Sequence, residues 1–112
     1  MSIYDRLRAS GIALPPATPP GAAYVPTVQA GNLLFVSGHI ARRGGEPWVG
    51  QLGGSLTTAE GREAARAIAI DLLGTVHAAL GDLDRVQRIA KLLVLVNSAP
   101  TFTEQVDRKS VV

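Results

Sequence analysis

The chain has 112 residues, enough for one domain, and is 46% hydrophobic and 18% charged, the balance of a globular protein rather than a disordered one. It contains no cysteine, which excludes disulfide frameworks and thiolate metal sites, and its two histidines lie far apart in sequence, which argues against a structural metal. Eleven Lys/Arg against nine Asp/Glu leave a net charge of +2, too small and too scattered to imply nucleic acid, and Tyr4, Tyr24, Phe35 and Phe102 are the aromatic groups besides Trp48.

The longest apolar runs are too short to cross a bilayer, and the N-terminus lacks a basic-then-apolar leader pattern, so a cytoplasmic location is expected. Residues 3–10 read as a short helix with Ile3 and Leu7 on one face and Gly11 as its stop. Pro15, Pro16, Pro19 and Pro20 then impose an extended lead-in, because each ring fixes its own φ and biases the residue before it. Residues 22–29 suit a first strand, and Pro26, which has no N–H to donate, places it at an edge or a bulge.

Ala30-Gly31-Asn32 turns the chain into Leu33-Leu34-Phe35-Val36, which reads as a buried strand. That strand breaks into Ser37-Gly38-His39, where a glycine admits a ligand to the backbone and Ser and His bring hydrogen-bonding atoms to one place. The plain alternative is an ordinary strand-to-loop exit. Residues 42–47 read as a loop, Trp48-Val49 as a brief returning strand, and 50–55 as loose chain.

Thr57-Thr58-Ala59-Glu60 is a capping box, with Thr57 and Glu60 each serving the other's backbone N–H. Ala65, Ile68, Ala69, Leu72, Leu73, Val76 and Leu80 follow at spacings of three and four, and Gly81 is the expected C-terminal stop. Full burial of the five largest of these against a sheet would contribute roughly 8–15 kcal/mol before entropy. Glu63, Arg66, Asp71 and Thr75 fall on the opposite side, and His77 is expected at the surface near the helix's negative end. After the connector Asp82-Leu83-Asp84, residues 86–96 end in an apolar run that fits a strand covered on both faces, with Lys91 near its start. Asn97-Ser98-Ala99-Pro100 is a turn, and Thr101 to Glu104 resembles the first turn of a second helix.

The final six residues, Asp107 to Val112, match the translation of a common sequencing adapter and are expected to be non-native. Organisation is accordingly read as an N-terminal helix and proline-rich lead-in (1–21), a partial domain (22–105) and a non-native tail (106–112).

Tyr24-Val25-Pro26, Gly31 to Gly38, Gly81-Asp82-Leu83-Asp84-Arg85-Val86 and Asn97-Ser98-Ala99-Pro100 with Phe102 together resemble the RidA/YjgF family, in its longer branch described as endoribonuclease L-PSP-like. The resemblance covers roughly residues 5–105. It implies an α+β fold of chorismate-mutase type, a two-layer sandwich of sheet on helices whose C-terminal part is missing from this chain. It implies homotrimers with ligand clefts between subunits, and hydrolysis of imines and enamines derived from amino acids to 2-keto acids and ammonia, with no cofactor or metal. By the resemblance, Ser37 and Gly38 are the catalytic pair lining the cleft, Tyr24 contacts substrate, and His39 stands where many relatives carry Gln, available to orient water or simply to pack. The family's carboxylate-binding arginine and late acidic residue have no match in this chain, so the 112 residues alone are expected to show little activity, and they are expected to fold poorly because the helix stripe and the 92–96 run lack the neighbours that would cover them. A non-catalytic small-molecule-binding trimer is the alternative on the same fold. An endoribonuclease or translation inhibitor is a third reading, resting on the family's older name.

Overall fold

The computed structural model describes residues 2–16 and 24–103; the second half of the proline-rich lead-in and the tail from 104 onward lie outside the described residues. The chain is α+β, with two helices of α type, a single 3-10 turn and two small antiparallel hairpins among the described residues. It divides into two compact units, Met1–His39 with Ile70–Ile89 and Ile40–Ala69 with Ala90–Val112.

In the first unit, helix α1 spans Ile3–Ala9. Ser2 caps it: its hydroxyl accepts from the Asp5 N–H while the Asp5 carboxylate accepts from the Ser2 N–H, the reciprocal pair that satisfies two orphan donors. The Ser2 N–H and then its hydroxyl hold the Asp5 carboxyl below its ordinary value, with Arg8 adding a favourable charge. That benefit is present above the ordinary carboxylate range and is lost as pH falls through Asp5's own lowered value. Gly11 ends the helix with φ of 71°, which an L side chain adopts only at a cost.

Strands β1 (Thr27–Ala30) and β2 (Leu33–Val36) pair antiparallel in the register Thr27↔Val36 to Ala30↔Leu33. Gly31 takes the first turn position at φ of 58°, the type II′ requirement that matches the twist of the flanking strands. The expectation of a buried strand is corrected by the structure. Leu33 is 55% and Phe35 58% exposed, because β2 is paired along one edge by a four-residue strand and no described element covers that face.

Helix α2 (Thr58–Leu80) contributes residues 70–80 to the first unit and 58–69 to the second. Its start is the one read from sequence: Thr57 N–H donates to Glu60 Oε1 and Glu60 N–H to Thr57 Oγ1, both at 3.1 Å. Its end is also as read, Gly81 taking φ of 76° with its N–H on the His77 carbonyl. The apolar stripe between them behaves differently. None of its residues is fully buried; the buried positions are Gly74 and Thr75. A Cβ on Gly74 would lie 2.6 Å from the Pro15 carbonyl oxygen, so the missing side chain is what lets the lead-in lie against the helix.

Residue Leu83, 2% exposed, is the buried apolar side chain of the described chain, and it opens a 3-10 turn, Leu83–Arg85, capped by Asp82. Its N–H donates to Tyr4 Oη at 2.7 Å. The same Oη is hydrogen-bonded to His77 Nδ1, 2.8 Å away. The two rings meet edge-on with centroids 5.5 Å apart. His77 is thus half-buried and bonded, not the surface residue expected, since the Tyr4 side chain of α1 reaches its ring.

In the second unit, strands β3 (Arg42–Arg43) and β4 (Glu46–Pro47) form a hairpin where a loop was expected. Gly44 and Gly45 both have positive φ, at 61° and 83°, as a type I′ turn demands. The returning strand sits at 46–47 rather than 48–49, although the Trp48 N–H still donates to the Ala41 carbonyl, and the Arg43 guanidinium lies 4.9 Å from the Trp48 ring centroid. Residues 50–55 are not loose: the Leu52 N–H donates to the Asn97 carbonyl, the Leu52 carbonyl accepts from the Ala99 N–H, and Asn97 Nδ2 reaches the Gly50 carbonyl.

One expectation fails outright. Residues 86–96 form no strand, and Leu92, Leu93 and Leu95 are 50%, 77% and 88% exposed, because no described strand pairs with them. Pro100 and Thr101 form a turn, with the Phe102 N–H on the Ala99 carbonyl, and the helix expected to start over 101–104 would run outside the described residues.

Replacing Tyr4 by Phe would remove the acceptor of the Leu83 N–H, on the most buried apolar side chain among the described residues. The expected cost is about 1–3 kcal/mol, read as a lower urea midpoint. An unchanged midpoint would contradict this role for the hydroxyl.

Candidate functional site

The sequence-derived candidates converge at the end of β2. Beyond Val36 the ladder continues for one more rung, the Ser37 N–H donating to the Pro26 carbonyl at 2.9 Å. Ser37 Oγ donates to the Val25 carbonyl at 2.6 Å. These two bonds lay the Tyr24-Val25-Pro26 segment alongside Ser37-Gly38, so the fold brings together positions eleven and twelve residues apart in sequence. Tyr24 is 50% exposed.

Chemically, the commitment of the Ser37 hydrogen to Val25 leaves the Oγ lone pairs as acceptors for a water or an N–H. Gly38 faces open space: a Cβ built on it meets nothing within 4 Å. Its φ is not positive, so the glycine is not required by the backbone conformation. What its lack of a side chain provides is access to the backbone.

Position 39 differs from its neighbours. The His39 side chain is 11% exposed, and both ring nitrogens are engaged: Nδ1 lies 2.8 Å from the Ser37 carbonyl and Nε2 lies 2.8 Å from Thr75 Oγ1. Asp71 Oδ2 stands 3.7 Å from the same Nε2. Asp71 and Thr75, one helical turn apart on α2, face this ring instead of lying on the solvent side as their place opposite the apolar stripe suggested. Sequence reading missed them because the period of the stripe says nothing about which polar residue a distant loop will meet.

A groove of about 290 Å³ elsewhere in the first unit is lined by Leu7, Ile12, Leu14, Tyr4, Arg8 and His77, among others. Its polar groups are already engaged, Tyr4 with Leu83 and His77, Arg8 with Asp5. Among the described residues no three His, Asp or Glu side chains come together as a metal site, and no helix is long and apolar enough to cross a membrane.

The architecture just described is the RidA-type α+β fold. A candidate endoribonuclease of Shewanella oneidensis superposes with a TM-score of 0.92 over 99% of this chain and 74% of its own, at 27% identity. The protein Atu1372 of Agrobacterium tumefaciens, of unknown function, superposes at 0.83 over 96% of this chain and 66% of its own, at 38% identity. Among curated proteins the chain is similar to the protein TCP17 of Trypanosoma cruzi, 51% identical over 104 residues. That match takes in 92% of this chain but 65% of TCP17, so the chain spans a little under two thirds of its relative's length. No family model matches the chain.

Substituting Gly38 by Ala should leave thermal stability within about 0.5 kcal/mol, since the new methyl meets nothing, whereas Ser37→Ala should cost about 0.5–1.5 kcal/mol through the lost hydrogen bond to the Val25 carbonyl. Equal melting losses for the two would contradict this geometry.

Proposed function

We propose that the protein is a reactive-intermediate deaminase, which hydrolyses imines and enamines derived from amino acids to 2-keto acids and ammonia. The observation that carries this reading is the Ser37-Gly38 rim, with an acceptor hydroxyl and an unshielded glycine beside Tyr24, on a RidA-type fold. The reaction asks little of a protein: water adds to the C=N carbon, the nitrogen gains a proton, and the tetrahedral carbinolamine collapses to a ketone and ammonia. The Ser37 lone pairs orient the attacking water or accept the iminium N–H. The Gly38 N–H supplies a donor for the oxygen that carries developing charge. Tyr24 flanks the substrate. The active form in this proposal is a homotrimer in the cytoplasm, with each cleft finished by a neighbouring subunit.

The endoribonuclease description of the Shewanella oneidensis protein favours a second reading, RNA cleavage, against which the weak net charge of this chain weighs. A non-catalytic metabolite-binding trimer would use the same rim without turnover.

Given freshly generated 2-iminobutanoate, protein of the relatives' length is expected to release 2-oxobutanoate faster than buffer does, and Gly38→Ala to lower kcat/KM about tenfold with unchanged melting, a loss of about 1.4 kcal/mol of transition-state binding. The 112-residue chain is expected to be slow or inactive. Saturable binding without turnover would favour the metabolite-binding trimer, and cleavage of single-stranded RNA with no effect on the imine would favour the nuclease.

A further inference from the structure

We infer that His39 is the positioning residue of this rim, holding the Ser37-Gly38 backbone to helix α2 without itself touching substrate. The inference rests on the deaminase reading for what the rim does, but its geometry stands apart from it. The Ser37 carbonyl can only accept, so His39 Nδ1 must carry a proton. In the neutral ring Nε2 is then an acceptor, and the Thr75 hydroxyl is the donor that meets it. One imidazole therefore spans from the backbone of the turn to a threonine on α2 that is 3% exposed.

Three consequences follow from this arrangement. With both nitrogens used and 11% of the side chain exposed, the ring has no free lone pair to offer a water, so general-base chemistry by His39 is excluded in this state. The Ser37 carbonyl is fixed through Nδ1–H while Ser37 N–H and Oγ are fixed by Pro26 and Val25, so the serine leading into Gly38 is held at every polar atom. Gly38 N–H, which shares a peptide plane with that carbonyl, is consequently aimed by His39 rather than by its own contacts. Asp71, 3.7 Å from Nε2, is the titratable group facing the ring, and it would draw the ring toward α2 if Nε2 gained a proton.

The two amide replacements divide the ring's functions. In His39→Asn the side-chain amide occupies the place of Nδ1 and retains a donor for the Ser37 carbonyl. In His39→Gln it reaches the place of Nε2, retains the Thr75 contact and abandons Ser37. The test uses protein of the relatives' length labelled with 15N, and 2-oxobutanoate as the probe. The imidazole of the wild type is expected to show a protonated Nδ1 and an unprotonated, hydrogen-bonded Nε2 at neutral pH. The Gly38 amide signal is expected at its wild-type position in His39→Asn and displaced in His39→Gln. Probe affinity is expected to stay within about threefold in the first and to fall about tenfold in the second, at similar melting temperatures.

An Nε2–H tautomer, or identical Gly38 signals in the two variants, would overturn the positioning role. Should both variants unfold, Thr75→Ser against Thr75→Val asks the same question: a Gly38 amide that moves in Val alone supports the link, and one that moves in neither overturns it. If the wild type ignores 2-oxobutanoate, the deaminase reading falls, while the imidazole and Gly38 signals still decide the role of His39.

Discussion

A single phenolic hydroxyl, that of Tyr4, ties helix α1, the 3-10 turn after α2 and the last turns of α2 into one body. It takes the N–H of Leu83, the side chain around which the first unit closes, and shares a hydrogen bond with His77. This matters because the unit has little else. One leucine fully buried contributes about 1.5–3 kcal/mol, and the helix stripe that would have added several times more is half-buried. A typical hydrogen bond contributes about 0.5–1.5 kcal/mol net, yet leaving a buried partner unsatisfied costs more, so the Tyr4 link holds chiefly through the penalty for breaking it.

The same device recurs at the rim. His39 joins the polar end of β2 to Thr75 as Tyr4 joins α1 to His77, in each case a ring carrying a directional bond across a gap that apolar packing does not fill. Such bonds fix orientation better than burial does, since they fail within a few tenths of an ångström or a few tens of degrees. A rim that must present a backbone amide and a hydroxyl in fixed geometry gains from that stiffness, and Gly38 can then stay bare because its conformation is imposed from Ser37 and His39.

Much of the local structure was legible in the sequence. Ser2, Thr57 and Glu60 mark helix starts through side chains that reach their own backbone, although Ser2 and its partner Asp5 emerged as a cap only in the structure. Gly11 and Gly81 announced the stops, and Gly31-Asn32 announced the hairpin. Each of these is a contest settled within four residues. What was not legible depends on distant partners. The run 92–96 has strand composition but finds no ladder among the described residues, and Leu33 and Phe35 alternate correctly yet stay exposed. His77, Asp71 and Thr75 looked like surface positions because the period of an apolar stripe carries no information about which polar group will arrive from elsewhere. Of the candidate site, the Ser-Gly pair stood out from its residues and Tyr24 through the family resemblance, whereas the partners of His39 did not.

Native-state amide hydrogen exchange tests the polar fastening most directly. The Leu83 amide is predicted to exchange as slowly as the amides of residues 76–80, opening with them as one cooperative unit, while the amides of 92–95 exchange at rates near those of an unfolded chain. A Leu83 amide that exchanges as fast as those of 92–95 would contradict the fastening role of Tyr4.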